Sequence, residues 1–488
     1  MTVDYKRIEE IIEQNFQDEI NVLRHIISIQ SVAQEPNDEN IKAGKPFGEG
    51  VDRAYRYLLN KGESFGFTAL DIDGYGGHLE FATNSDSTEN DSYKEIFAIA
   101  AHLDCVPIGD GWIKDPLGGE IYDGKLFGRG AYDDKGPAIA SLFAMRALRE
   151  AGFLPDKRIR LILGLDEETE CYGMKYYLEN EEMPDMGFTP DGDFPVIHGE
   201  KGILLFDIAK KFGKNQKGNL QLRNVKGGEA DNMVASNARA LINAANPKCY
   251  EDILKLAEEY RTNADMDIKT RRLGKSLEIK IKGIPAHGAS PWKGVNAVSL
   301  MMEFLGNIEF DSDDTNDFIE FFNIHIGQQT DGENLGILLC DDLSGNTILN
   351  VGGIEMDSES AHLTINVRYP VSFDEESIYR GMEDVLKKYN LGIVKKANKI
   401  PLYLNPDSDF IKGLTEVYRD VTGDSESLPM VIGGGTYARY FDRNFVAFGA
   451  KFPGGEAVEH RADEYIRLDD LLLMTKIFAK ALLKFTSD

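Results

Sequence analysis

Two short apolar runs, EIFAIAA (95–101) and RIRLILGL (158–165), limit what this chain can fold into more than any other feature. Each is too short and too uniformly apolar for an amphipathic helix, and each is followed at once by polar residues. That is the signature of strands buried on both faces of a sheet. Between them, PAIASLFAMRALREAG has Pro137 in its first turn and Gly152 as its stop, which predicts a helix over 137–151. Strand, helix, strand in this order implies an α/β unit with a largely parallel sheet, whose ligands collect beyond the carboxyl ends of the strands. His102 and Asp104 follow the first run, and Asp166, Glu167 and Glu168 follow the second.

Ahead of this unit, Ile8, Ile11, Ile12, Phe16, Ile20, Leu23, Ile26 and Ile27 recur at helical spacing and predict an amphipathic first helix over about 5–29. Segments 78–83 and 95–101 read as two strands of a hairpin, with NSDSTENDS (84–92) as its solvated loop. From about residue 202 the texture changes to alternation, as in SLEIKIKG and HLTINVRYP, which implies an α+β domain on an antiparallel sheet. The α/β texture returns after about residue 400. The acid-rich DSDDTND (311–317) reads as a solvated loop, because it lacks the glycine and the final glutamate of a calcium loop.

A chain of 488 residues is expected to divide into about two to four domains. Its formal charge of −28 repels phosphate backbones and anionic lipid, which excludes nucleic acid and membrane surfaces as general partners. No run approaches the ~18 apolar residues of a membrane span and the N-terminus lacks a signal-peptide core, so a cytoplasmic protein is expected. Cys105, Cys171, Cys249 and Cys340 have neither C-x-x-C spacing nor a disulfide framework and read as free thiols.

The chemistry-bearing candidates are modest one by one. His102 with Asp104 two residues on could be a metal ligand held in one tautomer, or a structural histidine. Asp133 and Asp134 precede the 137 helix, where capping is the plain alternative to metal bridging. The acids of DEETE (166–170) end an apolar strand, where mutual repulsion calls for a cation or solvent.

Together, AAHLDCVP, GRGAYDDKGP, DEETE, FTPDGDFPVIHGEKG, GGEADNMV, PAHGASPWKGVNA, NVRYP, GGTYAR and PGGEAVEHRADE run in family order over about residues 100–465. In this set the chain resembles the dinuclear-zinc aminoacylase, carboxypeptidase G and dipeptidase family, and within it the PepV-type bacterial dipeptidases. The resemblance implies a catalytic α/β domain, 1–201 with 401–488, interrupted by an inserted α+β lid domain, 202–400, with the ions held in the cleft between. It implies His102, Asp133 and Asp191 as ligands of one ion, and Asp133, Glu168 and His460 as ligands of the other. Glu167 matches the general base, Asp104 the residue that orients His102, and His287 an oxyanion donor. Asn232 and Arg368 match substrate-holding residues, and Gly435 and Thr436 lie in a loop that lines the cleft. Asp134 carries no ligand role.

The implied cofactors are two divalent ions, zinc first, with manganese or cobalt also suited to nitrogen and carboxylate donors. The implied activity is hydrolysis of dipeptides with free amino and carboxyl termini, with broad side-chain tolerance and β-alanyl dipeptides such as carnosine in range, by a monomer. An N-acyl amino acid hydrolase would use the same ligands on a blocked amine. A catalytically dead peptide-binding relative would not need all five ligands together with Glu167. Cys105 departs from the aliphatic residue of many relatives, and GGEAVEH from the usual wording of the last motif, without loss of a ligand.

Overall fold

The computed structural model describes residues 4–82, 95–213, 219–246, 248–263, 266–441 and 444–487. The chain forms two compact units, one of Met1–His198, Leu404–Met430 and Thr436–Asp488, the other of Gly199–Tyr403 and Val431–Gly435. The expected boundaries near 201 and 401 differ from these mainly in the short Val431–Gly435 segment. No helix among the described residues is long and apolar enough to cross a membrane.

The first unit is organised by the two apolar runs. Strands Ile96–His102 and Arg158–Gly164 pair in parallel, in register from Ile96 with Arg158 to His102 with Gly164, and every residue of both is buried. Met186–Thr189 extends the parallel set beside Ile96–His102, and Phe445–Ala447 continues it. On the other side Gly76–Phe81 and Thr68–Ile72 add antiparallel strands. Helices Lys135–Glu150 and Leu468–Thr486 pack on the two central strands, Tyr5–Ile27 packs on those helices, and Glu49–Ser64 packs on the outer strands, all sharing one core. The class is therefore α/β with a mixed sheet whose centre is parallel, as the unbroken apolar runs require.

The expected hairpin of 78–83 with 95–101 does not form. Gly76–Phe81 and Ile96–His102 are not neighbours, because Arg158–Gly164 lies between them and pairs with both. A strand apolar along its whole length is satisfied only when both edges and both faces are covered, and a local hairpin leaves one edge bare. The 84–92 stretch itself lies outside the described residues. The other departure is DSDDTND: Ser312 caps a helix Asp313–His325 by accepting from the Thr315 N–H, and Asp313 and Asp314 occupy its first turn. The acids read as loop are helix-start residues placed at the positive end of the dipole.

The second unit is an eight-stranded antiparallel sheet with its own core, built from helices Cys249–Asn263, Ala297–Leu305, Asp313–His325 and Glu375–Lys388. Gly202–Lys211 shows the expected alternation, buried at every second residue. The sheet consists of two four-stranded halves joined where Val225–Gly227 pairs with Ile354–Met356. Leu220–Gly227, Asn237–Ala244, the Cys249 helix and Asp267–Leu273 follow one another in one half as Ile348–Met356, Ser360–Tyr369, the Glu375 helix and Gly392–Lys399 do in the other. In each half a fourth strand, Ser276–Lys282 or Gly202–Lys211, lies between the second and the outer strand.

Glu19 on the first helix is fully buried; one carboxyl oxygen accepts from the Thr475 hydroxyl and the other has no partner among the described residues. Burial, partly offset by Thr475, pushes its carboxyl up to about 8. The native state then holds a proton that the unfolded chain releases near 4.5, so this group's contribution to stability is lost as pH rises from about 4.5 through about 8. Glu19→Gln is expected to raise stability relative to wild type by a few kcal/mol at pH 8.5 and by little at pH 5, measured by chemical denaturation.

Candidate metal centre

The register of the parallel strands brings the chemistry together. His102 is the last residue of its strand and Gly164 its neighbour, with the Leu103 N–H donating to the Gly164 carbonyl at 3.0 Å. The segments that leave these two strands, and the one after Thr189, therefore start at one end of the sheet. They carry Asp104, Glu167, Glu168 and Asp191.

His102 is 1% exposed. Its Nδ1 lies 3.1 Å from the Asp104 carbonyl oxygen and 3.4 Å from Asp104 Oδ1. The two oxygens of that carboxylate accept from the N–H groups of Glu167 and Glu168, each at 3.1 Å. Asp104 thus joins the two strand ends and turns His102 Nε2 toward Asp133 Oδ1 at 2.9 Å and Asp191 Oδ2 at 3.9 Å. The other Asp133 oxygen lies 3.1 Å from His460 Nε2, which is also 3.1 Å from both oxygens of Glu168.

His102, Asp133 and Asp191 form one group with all donor atoms within 4.8 Å of one another, and Asp133, Glu168 and His460 form a second. Nitrogen and carboxylate donors at this spacing fit zinc, manganese or cobalt, and a carboxylate common to both groups fits ions that share a ligand. The electrostatics agree. Burial first, then neighbouring acids, pushes the carboxyl of Asp191 up to about 7 and raises those of Glu168 and Glu167, the last well above its usual range. Burial opposes a charged His102 ring, but the carboxylates of Asp104 and Asp133 outweigh it and raise its pKa. Hydrogen bonds to Asp133 and Glu168 push His460 up to about 11. Burial works against ionised Asp133 too, yet both imidazoles hold it below the usual carboxylate range. These protons occupy positions that a divalent cation would take over.

Asp134 belongs to neither donor group. It sits at the N-cap position of Lys135–Glu150 without a capping bond; Oδ2 accepts from the His102 N–H at 3.0 Å, and Oδ1 has no partner among the described residues. Sequence reasoning missed three supports. Lys135 is buried and donates to the carbonyls of Ile26 and Ile29; Tyr437 stands edge-on to the His102 ring, centroids 6.3 Å apart; and Glu464 accepts from the N–H of Asp133. Glu464 ends a quoted motif, but its spelling does not separate it from Glu459.

The other predicted residues are divided between the units. Asn232 and His287 are neighbours in the second: Met233 bridges His287, and the Gly288 N–H donates to the Asn232 carbonyl at 2.7 Å. Arg368 is 4% exposed and pairs with Ile348 and Ile203. Gly435 belongs to the second unit, while Thr436 belongs to the first and caps the turn Tyr437–Tyr440 by accepting from the Ala438 N–H. Cys105 is buried with Sγ 3.7 Å from the Ser31 hydroxyl.

A model of peptidase family M20/M25/M40 matches residues 98–484. A Bacillus subtilis protein provisionally named dipeptidase YtjP is 36% identical over 468 residues, 96% of either chain. A Staphylococcus saprophyticus protein, also provisionally named a dipeptidase, is 34% identical over 465 residues, 95% of this chain and 96% of that one. Human carnosine dipeptidase 1 matches in fold over 99% of both chains, with a TM-score of 0.54 at 16% identity. Aminoacylhistidine dipeptidase from Vibrio alginolyticus matches over 96% of this chain and 97% of its own, with a TM-score of 0.56 at 15% identity.

Without ions, the native site binds protons that the unfolded chain does not. Asp191 does so between about 3.8 and about 7, and His460 between about 6.5 and about 11. Stability of the chelated protein therefore falls as pH rises through these windows, while a loaded site has already exchanged its protons for cations. The rise in Tm on adding zinc or manganese to chelated protein is expected to be larger at pH 8 than at pH 5.5, as read by scanning calorimetry.

Proposed function

The chain belongs to peptidase family M20/M25/M40 and is a hydrolase of peptide bonds, and from that premise we propose that it is a two-ion dipeptidase acting on dipeptides with free amino and carboxyl termini. The observation that carries this reading is the pair of donor groups that share Asp133. The names of the full-length relatives favour the dipeptide over the blocked amino acid as substrate. The named carnosine and aminoacylhistidine dipeptidases of the same fold make β-alanyl dipeptides a substrate class to try. In this reading residues 1–201 with 401–488 are the catalytic domain, 202–400 are the lid, and the protein works as a monomer.

Divalent ions, zinc first, would be held by His102, Asp133 and Asp191 and by Asp133, Glu168 and His460, and would supply Lewis acidity to water and to the scissile carbonyl. Glu167 would act as the base that takes a proton from the attacking water and returns it to the leaving amine. In the ion-free protein, burial first and Asp191 next raise its carboxyl well above the usual range. Asp104 fixes the His102 ring through Nδ1, and so keeps Nε2 as the binding nitrogen. The reading gives His287 the developing oxyanion, Arg368 the substrate carboxylate through its planar fork, and Asn232, Gly435 and Thr436 the peptide backbone.

Ala-Ala and carnosine are expected to be hydrolysed in a chelator-reversible way and N-acetyl-alanine far more slowly; the opposite preference would move the assignment to an acyl amino acid hydrolase. Glu167→Ala is expected to keep the wild-type metal content and lose about 10²- to 10⁴-fold in kcat. Near-normal turnover would mean that another group moves the proton.

A further inference from the structure

Asp133 has to aim two oxygens in two directions, at His102 and at His460, yet it lies in a segment, 128–134, that is neither helix nor strand. Something else fixes its backbone, and the hydrogen bonds identify it. Glu464, 1% exposed, accepts at Oε1 from the N–H groups of Tyr132 (3.0 Å) and Asp133 (3.2 Å). At Oε2 it accepts from the Gly130 N–H (3.1 Å) and from Arg129 Nη1 (2.7 Å). Its carbonyl oxygen takes the Gly128 N–H as well, at 2.9 Å.

Arg129, 4% exposed, continues the connection. Its Nη2 donates to the carbonyls of Ile108 (3.1 Å) and Pro107 (3.4 Å), and its guanidinium lies 5.1 Å from the Trp112 ring centre. Glu464 stands four residues after His460, and Pro107 three residues after Asp104. One buried ion pair therefore ties together the segments that carry His102 and Asp104, Asp133, and His460.

We propose that Glu464 and Arg129 form a positioning latch that sets the two-way aim of Asp133, and through it the affinity of the centre for its ions. Neither residue need touch substrate. A carboxylate is required at 464 because both oxygens face two donors each; an amide would turn its own N–H2 against one of these pairs. Burying an ion pair adds little net stability compared with an apolar pair of similar volume, whereas removing one partner leaves a buried charge unmatched. The return on the latch is geometry at the site. Support of this kind around metal ligands is typically worth about 10- to 100-fold in metal affinity.

This inference rests on the two-ion reading, and its test separates the two. Zinc affinity of the full-length protein is measured by competition with a chelating indicator, independently of turnover, for wild type, Glu464→Gln, Arg129→Met and the double variant, alongside the Tm of each in chelator. The expected result is about 10- to 100-fold weaker zinc binding for each single variant, with the double variant no worse than the poorer single. At saturating zinc, kcat is expected to fall with the KM for Ala-Ala unchanged. A lowered Tm with wild-type zinc affinity would make Glu464 a loop anchor only and overturn the latch; wild type that binds no zinc would overturn the two-ion reading instead. If Glu464→Gln does not fold, Glu464→Asp, which keeps the charge and shortens the reach, is expected to show the same loss of affinity in a folded protein, and wild-type affinity there would count against the latch.

Discussion

Asp133 is the interaction on which the rest of the site depends. A single carboxylate facing one imidazole with each oxygen defines both donor groups at once, so a shift in its backbone disturbs both. The fold supplies the fixed points around it. Parallel register sets His102 beside Gly164, Asp104 spans to the N–H groups of Glu167 and Glu168, and Asp134 holds the N–H of His102. The last two of these contacts use a carboxylate to satisfy backbone donors where the strands end. Carboxylates thus act here both as prospective ligands and as the local scaffold.

That arrangement is costly without cations. Asp133, Glu167, Glu168 and Asp191 crowd one place in a chain already at −28; burial first raises the carboxyls of Glu167, Glu168 and Asp191, while two imidazoles hold that of Asp133 down. Local rules of stability are broken where function needs them broken, and a concentration of displaced acids at the end of a parallel sheet is a functional signature for that reason. The core beneath is conventional: strands buried along their whole length with helices packed on them.

Much of this was legible in the sequence. The runs EIFAIAA and RIRLILGL carry strand identity and parallel pairing in their composition alone, and the 137 helix announces itself through Pro137 and Gly152. The local patterns misled where the answer was not local. The hairpin reading of 78–101 failed because Arg158–Gly164, some 60 residues further along, inserts between the two strands. DSDDTND was misread because an acid-rich helix start and a solvated loop have the same spelling until Ser312 is seen to cap. The prospective ligands were picked out by nine motifs occurring in family order, each residue being modest on its own. Glu464, Arg129 and Lys135 were not, since what they do is accept from or donate to backbone groups distant in sequence, and a one-dimensional pattern carries no trace of that.

The most direct test of the shared role of Asp133 is anomalous diffraction at the zinc edge from crystals of the loaded protein. The account predicts two peaks about 3.5–4 Å apart, with one Asp133 oxygen on each, His102 and Asp191 on one ion, and Glu168 and His460 on the other. A single fully occupied peak, or two ions with Asp133 bound to only one of them, would contradict it.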